Sequence, residues 1–329
     1  MIEETIAKLF SHNHLGDIEL PIKPVSGGFM HKMYRIRAAG KMYAVKHLNP
    51  QIMKRADALR NFAEAERLEK LIEKTDIPIV PALQFSGTKM QLVDGNYFYI
   101  FDWHNGQITD SHQITSEMCR QAGSILGRMH ALDPKNHVKL KSEETIFEFD
   151  FYKSKAKAAD RELFHLLLKY DALLQHAEKE LNRAKKLLPD IICISDEDMD
   201  PKNVMWENGL PYVIDLECLE YGNPVSHALQ LALQWAGVSS CDIKLDHIGA
   251  FFDAYLKEYD NGFRRYPEVF GIAYTWLEWL EFNLSRALDD DLDDNEKRMG
   301  ITEVKNTLKR IQCLYKNETE IKRVLEFMI

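Results

Sequence analysis

The spacing of apolar positions divides the chain into a strand-rich beginning and a helical remainder. Ile2, Ile6 and Leu9 recur at helical spacing and predict a short amphipathic helix within residues 1–20. From Ile22 the pattern becomes strand-like: IKPVSGGFMHKMYRIR, a turn at Ala39-Gly40, then KMYAVKHL, which reads as a hairpin. Residues 51–74 return to helical spacing, marked by Phe62, Leu68, Leu71 and Ile72 and free of Gly and Pro. Ile77-Pro78-Ile79-Val80-Pro81 ends that helix and starts a strand. Two further strands follow around Met90–Val93 and Tyr97–Trp103, joined by Asp94-Gly95-Asn96. Past a hinge at Asn105-Gly106, the pattern is helical almost to the end. Thr115–Leu132 offers one buried face through Met118, Ala122, Ile125, Leu126 and Met129. Glu148–Leu188 reads as two helices joined near Tyr170-Asp171, Ala228–Trp235 as another, and residues 245–288 as two more. Strands first and helices afterwards predict a mixed α/β (α+β) chain, with a small β-rich part to about Asp102.

One stretch interrupts the helical part: CISDEDMDPKNVMWENGLPYVIDLE, from Cys193 to Glu217. Asp198 precedes Asn203 by five residues, a turn follows at Glu207-Asn208-Gly209, and the apolar run Pro211 to Ile214 ends in Asp215. Each part suits phosphoryl transfer, where positioning and charge neutralisation supply most of the catalysis. A carboxylate beside the attacking hydroxyl orients it and takes its proton, the part given to Asp198. Mg²⁺ takes hard oxygen ligands, and Asn203 and Asp215 supply an amide oxygen and a carboxylate. An acidic helix start would also be rich in Asp, but it would not require this order of parts.

The spacing D-x-x-x-x-N, followed by an apolar strand ending in Asp, resembles the catalytic core of the aminoglycoside phosphotransferase and choline kinase family. Those are small-molecule kinases with a protein-kinase-like fold. The resemblance implies two lobes: residues 1–102 as a nucleotide-binding lobe and residues 103–329 as a helical catalytic and substrate-binding lobe. It implies ATP, with GTP as the alternative nucleotide, Mg²⁺, and transfer of the γ-phosphoryl group to a hydroxyl of a small molecule.

The same resemblance assigns further residues. Tyr43-Ala44-Val45-Lys46 is similar to the V-A-I-K strand of kinases, whose Lys pairs with nucleotide phosphates. Ser26-Gly27-Gly28 forms a turn whose backbone approaches phosphates closely. Glu64 pairs with Lys46 in this reading, because residues 64–71 resemble the family's E-x-x-x-L-x-x-L helix; Glu66 is the competitor. The backbone at Phe101, Asp102 and Trp103 meets the adenine edge, and His130 is a structural residue near the catalytic loop. Trp276, Glu278, Trp279, Glu281 and Phe282 line an acceptor pocket suited to a sugar or amino-sugar with a cationic edge; packing in the core is the competing reading. Glu217 forms a loop salt bridge, or reaches substrate or metal through water. The family loop reads H-x-D-x-x-x-x-N where this chain has Asp196, and Ser226-His227 stands where the family carries an acid. Those two departures define the alternative, a nucleotide-binding pseudokinase with a regulatory role. A protein kinase is disfavoured, because no activation segment bounded by D-F-G and A-P-E follows the loop.

Composition narrows the partners. Across 329 residues, 45% are hydrophobic and 28% charged, an ordinary globular balance. The net charge of -9 argues against a nucleic-acid surface and favours a cationic partner. Five scattered cysteines without C-x-x-C spacing indicate neither a disulfide framework nor a zinc site. The start MIEETIAKLF is not a signal peptide and no apolar run approaches about 20 residues, so the expectation is a cytoplasmic protein with no membrane partner. The acidic run Asp289–Asp294 reads as a solvated helix terminus.

Overall fold

The amphipathic start folds as α1 (Ile2–His12), with Ile6, Leu9 and Phe10 fully buried. The alternating stretch becomes three strands, β1 (Ile18–Val25), β2 (Lys32–Ala38) and β3 (Lys41–His47), in a computed structural model that describes residues 2–25, 31–138 and 144–327. Residues 51–74 are two helices: α2 (Pro50–Met53), capped by the Asn49 side chain, and α3 (Ala58–Ile72). Then come β4 (Gln91–Val93) and β5 (Asn96–Asp102). The five strands make one antiparallel sheet in the order β1-β2-β3-β5-β4.

Register follows the alternation. Tyr43 and Val45 of β3 lie opposite Asp102 and Ile100 of β5, and together with Ile22, Ile36, Val93 and Phe98 they pack against α1. Each such buried aliphatic or aromatic side chain contributes roughly 1.5–3 kcal/mol. A second cluster, of Leu48, Ala58, Phe62, Ala82 and Tyr99, seats α3.

The chain up to Thr109 and the segment Lys202–Glu220 form one compact unit; Asp110–Pro201 and the chain from Tyr221 form the other. The second unit is helical: α4 (Ser116–Leu132), α5 (Phe149–Ala159), α6 (Arg161–Lys185), α7 (Pro224–Trp235), α8 (Leu245–Glu258), α9 (Trp276–Ala287) and α10 (Asp294–Phe327). The break expected at Tyr170-Asp171 falls instead at Asp160, whose carboxylate caps α6 by accepting from Leu163 N, while Tyr170 is buried inside α6. Local capping outweighs composition there. Asp293 likewise caps α10 through Asn295 N and Glu296 N, which makes the acidic run a helix terminus. Among the described residues no helix is long and apolar enough to cross a membrane.

Candidate active site

The strands Val204–Glu207 and Leu210–Val213 pair as a hairpin closed by Asn208-Gly209, both at positive φ. Asn-Gly is the pair that a two-residue hairpin of this hand favours. Its register sets Val204 against Val213, both fully buried, and the next step brings Ile214 N to the Asn203 carbonyl at 2.9 Å. Asn203 and Asp215 therefore stand at the same end of the hairpin. Hydrogen bonds from Val213 N to Pro78 O and from Val80 N to Val213 O anchor that end. Asp215 adopts a left-handed conformation (φ 63°, ψ 52°), tolerated by Asp better than by most residues, and turns the chain into Leu216–Cys218.

Lys46 sits on β3 with its side chain only 5% exposed. Its Nζ donates to Asp215 Oδ1 at 2.6 Å and lies 2.8 Å from Glu217 Oε1. The first contact is a directed hydrogen bond, whereas the second is an ion pair without that geometry. Burial pulls the ammonium pKa down, but the charges of Glu217 and Asp215 outweigh burial and hold it above its usual value. The expected pairing of Lys46 with Glu64 is corrected by the structure. Glu64 points outward and accepts from Arg67 at 2.8 and 2.7 Å. Glu66, the competitor, accepts from Met90 N and the Tyr99 hydroxyl instead. Helical phase explains the miss: the buried face of α3 runs through Phe62, Ala65, Leu68, Glu69 and Ile72, and position 64 lies off it.

Sequence reasoning overlooked His31, the residue just before β2, whose Nε2 is 3.3 Å from Glu217 Oε2. A histidine near a glycine pair in the sequence gives no periodic signal that separates it from a surface residue. Phe101 pairs opposite Ala44, and Trp103 donates from its backbone to Met42 O at 3.3 Å, with the Arg35 guanidinium 4.6 Å above its ring. Ser26, Gly27 and Gly28 lie outside the described residues.

In the second unit, the strand Ile191–Asp196 delivers the loop that carries Asp198. Asp196 is fully buried and its Oδ1 accepts from Asp198 N at 3.0 Å, an Asx-type turn that braces the loop. This carboxylate thus braces the loop backbone at Asp198. Asp198 itself is half-buried. Met199 O accepts from Trp235 Nε1 at 3.0 Å. Beneath the loop, Ser195 Oγ lies 3.0 Å from His130 Nε2 and 2.7 Å from His227 Nδ1, and His130 Nδ1 meets the Tyr255 hydroxyl at 2.8 Å. His227 therefore supplies a contact at the segment where the family's acid is missing.

Burial pushes His227 down to about 4 and, with His227 as a neighbour, holds His130 well below its usual value. Both enter the fold neutral. Because the unfolded histidines take up protons below about 6.5, their contribution is complete above that pH and is lost as pH falls toward 4. For His227 the loss amounts to about 3 kcal/mol. Unfolding midpoints measured from pH 7 to 4 should therefore fall more steeply for wild type than for His227→Gln. Parallel curves would show that His227 does not control this dependence.

The aromatic and acidic side chains of α9 are already engaged within the second unit. The Arg310 guanidinium lies 3.7 Å over Trp276, Trp279 Nε1 donates to Glu303 at 3.3 Å, Glu278 pairs with Lys185, and Glu281 accepts from Glu148 N.

The sequence matches the model of a phosphotransferase enzyme family over residues 21–268. No curated protein matches it by sequence. Among solved structures it is similar to a spectinomycin phosphotransferase bound to ADP and spectinomycin (TM-score 0.67, 13% identity, 98% of each chain covered). A choline kinase from Cryptosporidium parvum gives a TM-score of 0.54 at 11% identity, with 99% of this chain and 98% of that one covered. A microcompartment-associated aminopropanol kinase gives 0.61 at 12% identity, with 96% and 98% covered. These likenesses show a protein-kinase-like fold of a β-sheet part and a larger helical part.

Proposed function

Because the chain belongs to the phosphotransferase enzyme family, acting as a small-molecule phosphotransferase, we propose that it moves the γ-phosphoryl group of ATP to an alcohol. The observation that carries this reading is the contact of buried Lys46 with half-buried Asp215 at 2.6 Å, at the hairpin end that also bears Asn203. An ammonium held charged in the interior by carboxylates is suited to gripping a polyphosphate. The donor set fits a divalent cation: Asn203 and Asp215 would hold Mg²⁺ through an amide oxygen and a carboxylate. When bound, Mg²⁺ neutralises charge on the phosphate oxygens. Lys46 orients the phosphates, and the backbone from Phe101 to Trp103 lies against the adenine edge. Asp198, on a loop braced by Asp196 and Trp235, orients the acceptor hydroxyl and accepts its proton.

For the acceptor, the engaged state of α9 bears on the choice. One face of Trp276 is covered by Arg310, and Glu278 is paired with Lys185. An acceptor ammonium would have to compete with these partners, so neutral polyols and sugars belong in a screen beside amino alcohols and aminoglycosides. The test is ADP formation by purified protein with ATP and Mg²⁺ across such a panel. The expected result is acceptor-dependent ADP release that EDTA stops. No nucleotide binding and no acceptor-dependent release would overturn the reading.

A further inference from the structure

We infer that Glu217, braced by His31, is the carboxylate that positions Lys46 toward phosphate in this chain, in place of an acid on α3. The inference rests on the kinase reading above and concerns how its lysine is held.

The acids of α3 are committed elsewhere. Glu66 takes Met90 N at 2.9 Å and the Tyr99 hydroxyl at 3.1 Å. Glu69, 5% exposed, takes Ala82 N at 2.8 Å and pairs with the buried Lys89 at 2.9 Å. Glu73 closes on the same ammonium. Glu64 lies on the outer face with Arg67. A small cavity of about 20 Å³ is bordered by Glu66, Glu69, Tyr99 and Glu217. It has room for about one water, not for a side chain.

Glu217 is placed to do what α3 does not. Its carboxylate spans two cationic or donor groups, with Oε1 2.8 Å from Lys46 Nζ and Oε2 3.3 Å from His31 Nε2. His31 Nδ1 accepts from Asn49 N at 2.9 Å, which assigns the ring proton to Nε2, the nitrogen that faces Glu217. Asn49 is in turn fixed because its side chain caps α2 through Gln51 N. The chain of contacts thus runs from the cap of α2, through His31 and Glu217, to Lys46 and Asp215. Its value lies in division of labour. If Asp215 turns toward a metal ion, Lys46 keeps Glu217 as its counter-charge and stays in place.

Thermal unfolding in EDTA tests the pairing without any ligand. Glu217→Gln keeps the shape and removes the charge, and should lower Tm by about 5 °C. Glu64→Ala should leave Tm and turnover unchanged. Equal shifts for the two variants would overturn the pairing. Turnover tests the role: Glu217→Gln should slow phosphoryl transfer about tenfold to hundredfold with the Mg²⁺ half-saturation unchanged. In a Lys46→Met background the same change should cost nothing further, because a group acting only through Lys46 has nothing left to position. His31→Ala should give a smaller loss that disappears in the Glu217→Gln background. Additive losses, or a raised Mg²⁺ requirement, would make Glu217 a metal ligand and overturn the inference. A wild type that binds no fluorescent ATP analogue, with or without Mg²⁺, would overturn the kinase reading and the role, while the unfolding data still judge the pairing.

Discussion

Asp215→Asn is expected to lower phosphoryl transfer by about a thousandfold while the protein still unfolds cooperatively. The substitution is chosen for its conformation. Position 215 has φ 63°, and Asn tolerates the left-handed region where Ala would add strain. What is lost is one negative charge at the hairpin end shared with Asn203, the place proposed for Mg²⁺. A bound cation supplies several kcal/mol of transition-state stabilisation, which corresponds to about three powers of ten in rate. Lys46 would keep Glu217 at 2.8 Å, so the fold should survive. Turnover, Mg²⁺ titration and a thermal melt on the same preparation decide the matter. Turnover near wild type would remove Asp215 from the metal site.

Asp198→Asn should reduce kcat by about 10²–10⁴-fold, with the KM for ATP close to wild type. The asparagine keeps the backbone N–H that bonds to Asp196 Oδ1, so the loop retains its turn. Only the proton acceptor is gone. A change confined to the KM for the acceptor would give Asp198 a binding role instead of a chemical one.

The parts of this reading that were legible in the sequence have short-range causes. The turn at Asn208-Gly209 and the apolar run before Asp215 are local signals, which the structure joins into a hairpin, and the helices from Ser116 onward follow their apolar period. The family resemblance, carried by D-x-x-x-x-N and the strand after it, was also legible, because those residues lie within 18 positions of one another, from Asp198 to Asp215. The partner of Lys46 was not. Choosing among Glu64, Glu66, Glu69 and Glu217 requires the rotational phase of α3 and the path of the chain after Asp215, both set by packing. The Ser195–His130–His227 network was equally hidden, since its members come from three distant segments.

The buried ammonium of Lys89 bears on chemical intervention. It is 1% exposed and holds Glu69 of α3 and Glu73, just past the helix end, against the segment that precedes β4. A compound that wedges itself behind α3 and swings the helix outward would strand that ammonium in the interior. Breaking such a pair costs about 3–5 kcal/mol, or about two to three and a half decades of affinity. Inhibitors of this protein are therefore better drawn to leave α3 in place than to displace it.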